Sequence, residues 1–349
     1  MTKYPKFLLA AIIILSLSGC ESEEERRDRF FQLGNLALED EDFTKAVDLF
    51  NESLKIDPNF AFALNNRGVA KMEVNHPYEA ILDYNQAILK RSDYLDALFN
   101  RAYAYESVGK FEDALEDVER IMTLRPDSAF VYFYRGLVQT KRRTYDAALE
   151  SFTIADSLNP LNPETIINIA TIHYLKGDLE KASEVTARGL ELNSSDPNAS
   201  NLLSLIHLEN KNYLASLVEI NRALDIVPQE PYFLNNRGFI HLMTDSLDLA
   251  LRDIDASILL NPKNGWAYRN KGIYFLKTGD YSQAIRLMKR AIEEPDFIDE
   301  VYNYLGLAYQ KSGDLTRACE SWSEGAARNE ASSLKLFNQN CEDSFTKSN

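Results

Sequence analysis

Cysteine is scarce in this chain, with three in 349 residues, Cys20, Cys319 and Cys341. That excludes a small scaffold held by many disulfides and the common four-cysteine zinc frameworks. Glycine (14) and proline (11) are too few for a collagen-like or low-complexity chain. Basic charge is in deficit: 38 Lys and Arg stand against 53 Asp and Glu, for a net −15. A nucleic-acid binder needs a basic stripe to displace counterions from phosphates, so that class is excluded. Long apolar runs are also missing. The longest, Phe7 to Leu17, is far short of the ~20 residues that span hydrocarbon. Against these absences stands 45% hydrophobic and 11% aromatic content, enough for a folded core. Length alone would suggest two domains of ~150 residues; a repeat displaces that reading.

Lys3 and Lys6 precede the apolar run, and Leu17-Ser18-Gly19-Cys20 follows it. A basic start, a short apolar core and small residues before a cut point form a secretory signal. The tetrapeptide resembles the lipobox of bacterial lipoproteins. The resemblance implies removal of residues 1–19, lipidation of Cys20 and a membrane attachment through the lipid. Several acyl chains give the stable anchoring that one does not. Loss of two lysines and no acid takes the charge from −15 to −17. Glu21-Ser22-Glu23-Glu24-Glu25 then follows. It reads either as a solvated acidic tether, spanning residues 20–26 with the cysteine, or as a resemblance to the export signal of surface lipoproteins in Bacteroidetes-type bacteria. Residue 21 is Glu rather than Asp, so the inner-membrane retention signal is absent. The expected location is the bacterial outer membrane, on the periplasmic face or the cell surface.

Residues 27–332 divide into nine blocks of 34 without insertion, beginning at Arg27, Ala61, Leu95, Ala129, Pro163, Pro197, Pro231, Gly265 and Asp299. Position 8 is always small (Gly34, Gly68, Ala102, Gly136, Ala170, Ser204, Gly238, Gly272, Gly306). Position 20 is Ala in every block except Ser216 in the sixth. Small residues at these two points let paired helices approach closely. Position 15 is Gly109, Gly177, Gly279 or Gly313 in four blocks, where a first helix must stop and turn. Position 32 is proline in five, ending the second helix.

This pattern resembles the tetratricopeptide repeat (TPR). The resemblance implies an all-α fold, a right-handed α-solenoid superhelix of nine helical hairpins with a concave groove, closed by a C-terminal cap within residues 333–349. Periodicity agrees: positions 4, 7, 8 and 11 share one face of the first helix, and 17, 20, 24 and 27 one face of the second. One hairpin cannot bury its stripe alone, so the array must stack. Ala331 to Asn340 reads as the half-length capping element, with Leu334, Leu336 and Phe337 available to cover the last hairpin. With Cys20 lipidated, Cys319 and Cys341 are the remaining cysteines of an exported chain and are expected to form a disulfide.

Catalytic chemistry is not indicated. No nucleotide loop, zinc spacing or nucleophile motif is present, and no cofactor or metal is expected. His173, His207 and His241 all occupy position 11 of successive blocks. Neighbouring helices lie ~10 Å apart, so these side chains do not converge on one ion and read as structural. Arg67, Arg101 and Arg237 occupy position 7 in the blocks where position 23 is Asp83, Asp117 and Asp253. The co-occurrence predicts ion pairs across each hairpin, read as exposed ones contributing ~0–1 kcal/mol each.

Positions 2, 5, 6 and 9 of the first helices are expected to face the groove. Of these 36 residues, 18 are apolar or aromatic, 11 are Asn and one, Arg269, is basic. Asn66, Asn100, Asn168, Asn236 and Asn270 recur at position 6, among Phe62, Tyr103, Phe133, Tyr134, Phe239 and Trp266. Asn is a poor helix former, so its repetition mid-helix needs a reason. Its amide matches a peptide group in offering both donor and acceptor. The set resembles the asparagine ladder with which some TPR superhelices hold an extended peptide. The expected function is therefore a non-enzymatic scaffold for an extended segment of a partner protein. The alternative is a glycan-capture lipoprotein that uses the aromatics as stacking platforms.

Overall fold

The computed structural model describes residues 21–294 and 297–341. Cys20 and the leader before it lie outside these. Among the described residues are nineteen α-helices and no strand, and no helix is long and apolar enough to cross a membrane. The chain divides into two compact units at Ser151 and Phe152, within α8 (Tyr145–Leu158).

Unit 1 contains α1 (Glu23–Glu39), α2 (Phe43–Ile56), α3 (Ala61–Glu73), α4 (Pro77–Lys90), α5 (Leu95–Ser107), α6 (Phe111–Leu124), α7 (Ala129–Lys141) and the start of α8. Unit 2 completes α8 and continues through α9 (Pro163–Leu175), α10 (Leu179–Leu192), α11 (Pro197–Glu209), α12 (Tyr213–Ile226), α13 (Pro231–Met243), α14 (Leu247–Leu260), α15 (Gly265–Thr278), α16 (Tyr281–Ile292), α17 (Val301–Lys311), α18 (Leu315–Ala327) and α19 (Ala331–Asn340). Each unit is a stretch of α-solenoid, in which successive helices pack as neighbours. The 34-residue frame coincides with the helices. Seven odd-numbered helices, α3 to α15, begin on the first residue of a block, and every even-numbered helix from α2 to α18 begins on position 17.

Packing within a hairpin follows one rule. Position 24 is fully buried, as Phe50, Tyr84, Val118, Ile220, Ile254, Met288 and Trp322, and it faces position 8. A Cβ on Gly34, Gly68, Gly238, Gly272 or Gly306 would stand 2.2–2.7 Å from the residue at position 24 of the same block. Glycine there makes room for a large partner. Where position 8 is alanine, at Ala102 and Ala170, position 24 shrinks to Val118 and Thr186. The sixth block solves the problem differently. Ser204 and Ser216 exchange hydroxyl-to-carbonyl bonds at 2.9 and 2.8 Å, satisfying both buried hydroxyls.

The turn inside each hairpin is left-handed at position 15 in all nine blocks. Gly109, Gly177, Gly279 and Gly313 take φ of 75–89°, and Glu41, Asn75, Arg143, Lys211 and Asp245 take 52–64°. The next N–H then bonds back to the carbonyl five residues earlier, as Lys110 does to Tyr105 at 2.9 Å. Asp42, Asp178, Asp280 and Asp314 start the second helix by accepting from the N–H three residues on.

At the end of unit 2, α19 covers the last hairpin. Cys319 on α18 is joined to Cys341 after α19 by a disulfide, with 5.7 Å between Cα atoms. Leu336 and Phe337 pack against the core, whereas Leu334 points to solvent. Glu330, buried at the start of α19, accepts from the N–H groups of Tyr302 and Asn303 at 3.3 and 3.0 Å and from Ser333 Oγ at 2.7 Å. One carboxylate thus caps α17 from the neighbouring turn.

Candidate functional site

The odd-numbered helices of each unit lie side by side, and this decides which side chains stay open. Position 5 packs into the seam between successive helices. Asn65, Ile167, Asn235, Arg269 and Asn303 are all buried there, and Phe133 is buried too, contrary to the expected open orientation. Positions 2 and 9 carry the exposed aromatics: Phe62 is 41% exposed, Phe130 61% and Tyr103 58% in unit 1, and Tyr232 43% in unit 2.

The asparagines form a ladder, but its rungs join helices of the same chain. In unit 1 Asn100 Nδ2 donates to Asn65 Oδ1 (2.9 Å), Asn65 Nδ2 to Asn66 Oδ1 (2.9 Å) and Asn66 Nδ2 to Asn35 Oδ1 (2.7 Å). Three amides donate in turn along this chain, which ends on Asn35 as acceptor and links three helices. In unit 2 Asn236 Nδ2 donates to Asn201 Oδ1 at 2.9 Å and Asn270 Nδ2 to Asn235 Oδ1 at 2.8 Å. Asn168 differs, bonding back to the Glu164 carbonyl at 2.9 Å. Asn66, Asn100, Asn168 and Asn236 remain half-buried. Asn270 is fully buried, and Phe133 and Tyr134 are 8% exposed, so these three offer no face to a ligand. Tyr134 instead donates to Glu106 Oε2 at 2.9 Å, and burial beside that carboxylate raises its phenol.

Arg269 controls the aromatic pair of unit 2. Its guanidinium lies 4.7 Å from the Trp266 ring centroid and 5.1 Å from that of Phe239. Nε and Nη2 donate to Asn270 Oδ1 at 3.0 and 2.8 Å, and Nη1 donates to the Asp299 carbonyl at 2.8 Å. Burial lowers the guanidinium below its ordinary value, opposed by Tyr304 and Asp299 nearby. The half-buried faces of Phe239 and Trp266 are thus in contact with a cation of the chain itself.

The arginines at position 7 do more than the sequence suggested. Arg67 holds Asp83 through Nε at 2.9 Å and Nη2 at 2.6 Å, and its Nη1 reaches Asn51 Oδ1 at 2.8 Å. Arg237 repeats this with Asp253 (2.6 and 3.0 Å) and Asn221 (3.0 Å), and Arg101 with Asp117 and Asn85. Each arginine ties its own second helix to that of the preceding block. The aspartates are buried, not exposed, because the seam between helices excludes water around them. Asn at position 25 of the preceding block was the missed signal. It stands 16 residues before each arginine, as Asp stands 16 after.

His173 Nδ1 lies 3.6 Å from Asp178, and His241 Nε2 lies 3.9 Å from Asp253. Among the described residues no three His, Cys, Asp or Glu side chains are grouped to hold a metal ion.

An all-helical repeat with paired helices, one spacing and an inter-helix seam defines a helical-repeat protein. Two family models, both described as tetratricopeptide repeat, match residues 28–60 and residues 65–129, 99–163 and 269–333, together more than half of the chain. The chain belongs to the tetratricopeptide-repeat family, whose members generally bind protein partners. No curated protein matches it in sequence. Among solved structures it is similar to a chain of the APC/C hetero-tetramer Cut9-Hcn1, at 15% identity and TM-score 0.56, over 76% of this chain and 52% of that one. It spans about half of that chain's length, and the likeness is one of fold. Pseudomonas aeruginosa pilF (20% identity, 60% of this chain and 95% of that one, TM-score 0.49) is also similar. So is a tetratricopeptide repeat protein from Parabacteroides merdae (17%, 81% and 99%, TM-score 0.49).

Proposed function

We propose that this chain is a non-enzymatic scaffold, lipid-anchored through Cys20 in the bacterial outer envelope, that holds an extended segment of a partner protein. The observation that carries the reading is the exposed row Phe62, Tyr103 and Phe130 in unit 1. Large aromatics left in water along one side of a helical stack favour a partner that covers them. Half-buried Asn66 and Asn100 lie on the same helices, with capacity beyond the inter-helix rungs. The glycan alternative is disfavoured in unit 2, because Arg269 is stacked against Trp266 and Phe239.

The test is capture of envelope proteins by residues 21–349, followed by mass spectrometry and a glycan array. Replacing Phe62, Tyr103 and Phe130 by serine should abolish a captured protein while leaving thermal unfolding nearly unchanged. Retained capture, or binding to glycans alone, overturns the groove reading. For the anchor, labelled palmitate should enter the full chain and be lost in Cys20→Ser. An unlabelled wild-type chain overturns that part.

A further inference from the structure

The outer surface of unit 1 carries a second feature that the groove reading does not use. On α4, Tyr78, Leu82 and Leu89 are 64%, 63% and 71% exposed. Their spacing of four and seven places them on one helix face, opposite the buried Ala80, Tyr84 and Ala87. Arg101 fixes what lies beside that face. It bonds Asn85 on α4 at 2.6 Å and Asp117 on α6 at 2.8 Å, so the two helices run alongside each other. Asn85 stands between Leu82 and Leu89 in the same row.

The outward row of α6 is acidic. Glu112, Glu116 and Glu119 are spaced by four and three, and all are exposed. Glu112 pairs with Arg142 at 2.9 Å, whereas Glu116 and Glu119 make no ion pair among the described residues. On the other flank, α2 presents Thr44, Asp48 and Lys55, which carry no net charge. The apolar ridge is therefore bordered on the α6 side by three exposed carboxylates, of which Glu112 is paired with Arg142, and Arg120 of the same helix reaches the Ser92 carbonyl beyond the end of α4.

We propose that the α4 ridge and the α6 border dock an amphipathic helix of a partner protein, with its apolar face on Tyr78, Leu82 and Leu89 and basic residues along the α6 side. The apolar row supplies buried area, and the acidic row sets the orientation and rejects acidic helices. This surface is independent of the groove. It gives the protein a second attachment point, so that two segments are held at once.

The probe is a fluorescently labelled synthetic helix with leucine on one face and lysine on the other, titrated into residues 21–349. A peptide of the same composition with the leucines scrambled around the helix is the control. The amphipathic probe should bind and the scrambled one should bind at least about tenfold more weakly, the size expected when the apolar area stays in water. Replacing Tyr78, Leu82 and Leu89 by serine should weaken the probe about as much. Glu116→Gln with Glu119→Gln should weaken it less and flatten its salt dependence. Equal binding of both peptides, or unchanged binding by the serine variant, reduces the effect to bulk charge and overturns the proposal. Absence of binding overturns it as well. Phosphatidylglycerol-vesicle cosedimentation, or self-association, that the serine variant abolishes would assign the ridge to a membrane or to a second copy instead.

Discussion

Arg101 donates from Nε to Asp117 Oδ2 at 2.8 Å, and Asp117 is almost wholly buried. Burial raises the Asp117 carboxyl, and the arginine works against that shift. The pair is therefore worth most as a pair. With one member removed, a charge is left in the seam between two hairpins. The arginine's remaining contact with Asn85 makes it a rivet between blocks as well as within one.

Arg101→Met should destabilise unit 1 by about 3 kcal/mol, the usual cost of orphaning a buried partner. Asn85→Ala should cost about 1 kcal/mol, since only one hydrogen bond is lost. Urea unfolding followed by circular dichroism gives both. Equal costs would mean that the inter-block contact, rather than the buried carboxylate, dominates.

Glycines at the two repeat positions should both resist substitution, to different extents and for different reasons. A Cβ at Gly306 would stand 2.2 Å from Trp322 Nε1, whose ring is fully buried and whose N–H donates to the Asn303 carbonyl at 3.2 Å. Gly306→Ala should cost about 2–3 kcal/mol by overpacking. Gly109 has φ of 75° and nothing within 4 Å of a Cβ, so Gly109→Ala should cost only about 1 kcal/mol of backbone strain. Thermal melts of the two variants decide the order.

The Cys319–Cys341 disulfide closes a separation of 22 residues. Its removal as the double alanine variant should cost about 3 kcal/mol in the chain-entropy model. The loss should be local, because α19 contacts only α17 and α18 among the principal helix contacts. Hydrogen exchange should therefore accelerate in α19 and α18 while α9 to α13 stay protected.

His241 gives a signed pH effect. Burial lowers its folded-state value below 6.5, with Asp253 opposing and Arg237 and Arg252 assisting. The unfolded chain then binds the extra proton more readily, so this contribution is complete above pH ~6.5 and fades on acidification. Melting temperature should fall between pH 7 and pH 5, and less steeply in His241→Gln. Parallel slopes would remove His241 as a cause.

The register of the solenoid was legible because close packing leaves a residue-by-residue trace. Position 8 accepts glycine or alanine according to the bulk at position 24, and Pro77, Phe111 and Tyr145 each open a second helix on schedule. The left-handed turn was visible at Gly109 but not at Glu41 or Lys211, where a side chain tolerates φ of 58°. For the groove, Phe62 and Tyr103 lie open as read. Phe133, Tyr134 and Asn270 do not, because a helical wheel distinguishes a helix's own face and cannot tell solvent from the flank of the next helix.

The sequence by itself determined the class: a 34-residue period, small residues at positions 8 and 20 of each hairpin, and two late cysteines expected to pair. Those are local or strictly repeated constraints, and each repeat restates them. Only the tertiary structure decided which polar side chains are spent inside the molecule. Asn66 bonds Asn35, Arg269 stacks on Phe239, and Arg101 spans two blocks, because each finds its partner on a neighbouring helix roughly one block or half a block away. What is left over after those pairings, Phe62 and Tyr103 on one face and Tyr78, Leu82 and Leu89 on another, is the surface available to partners.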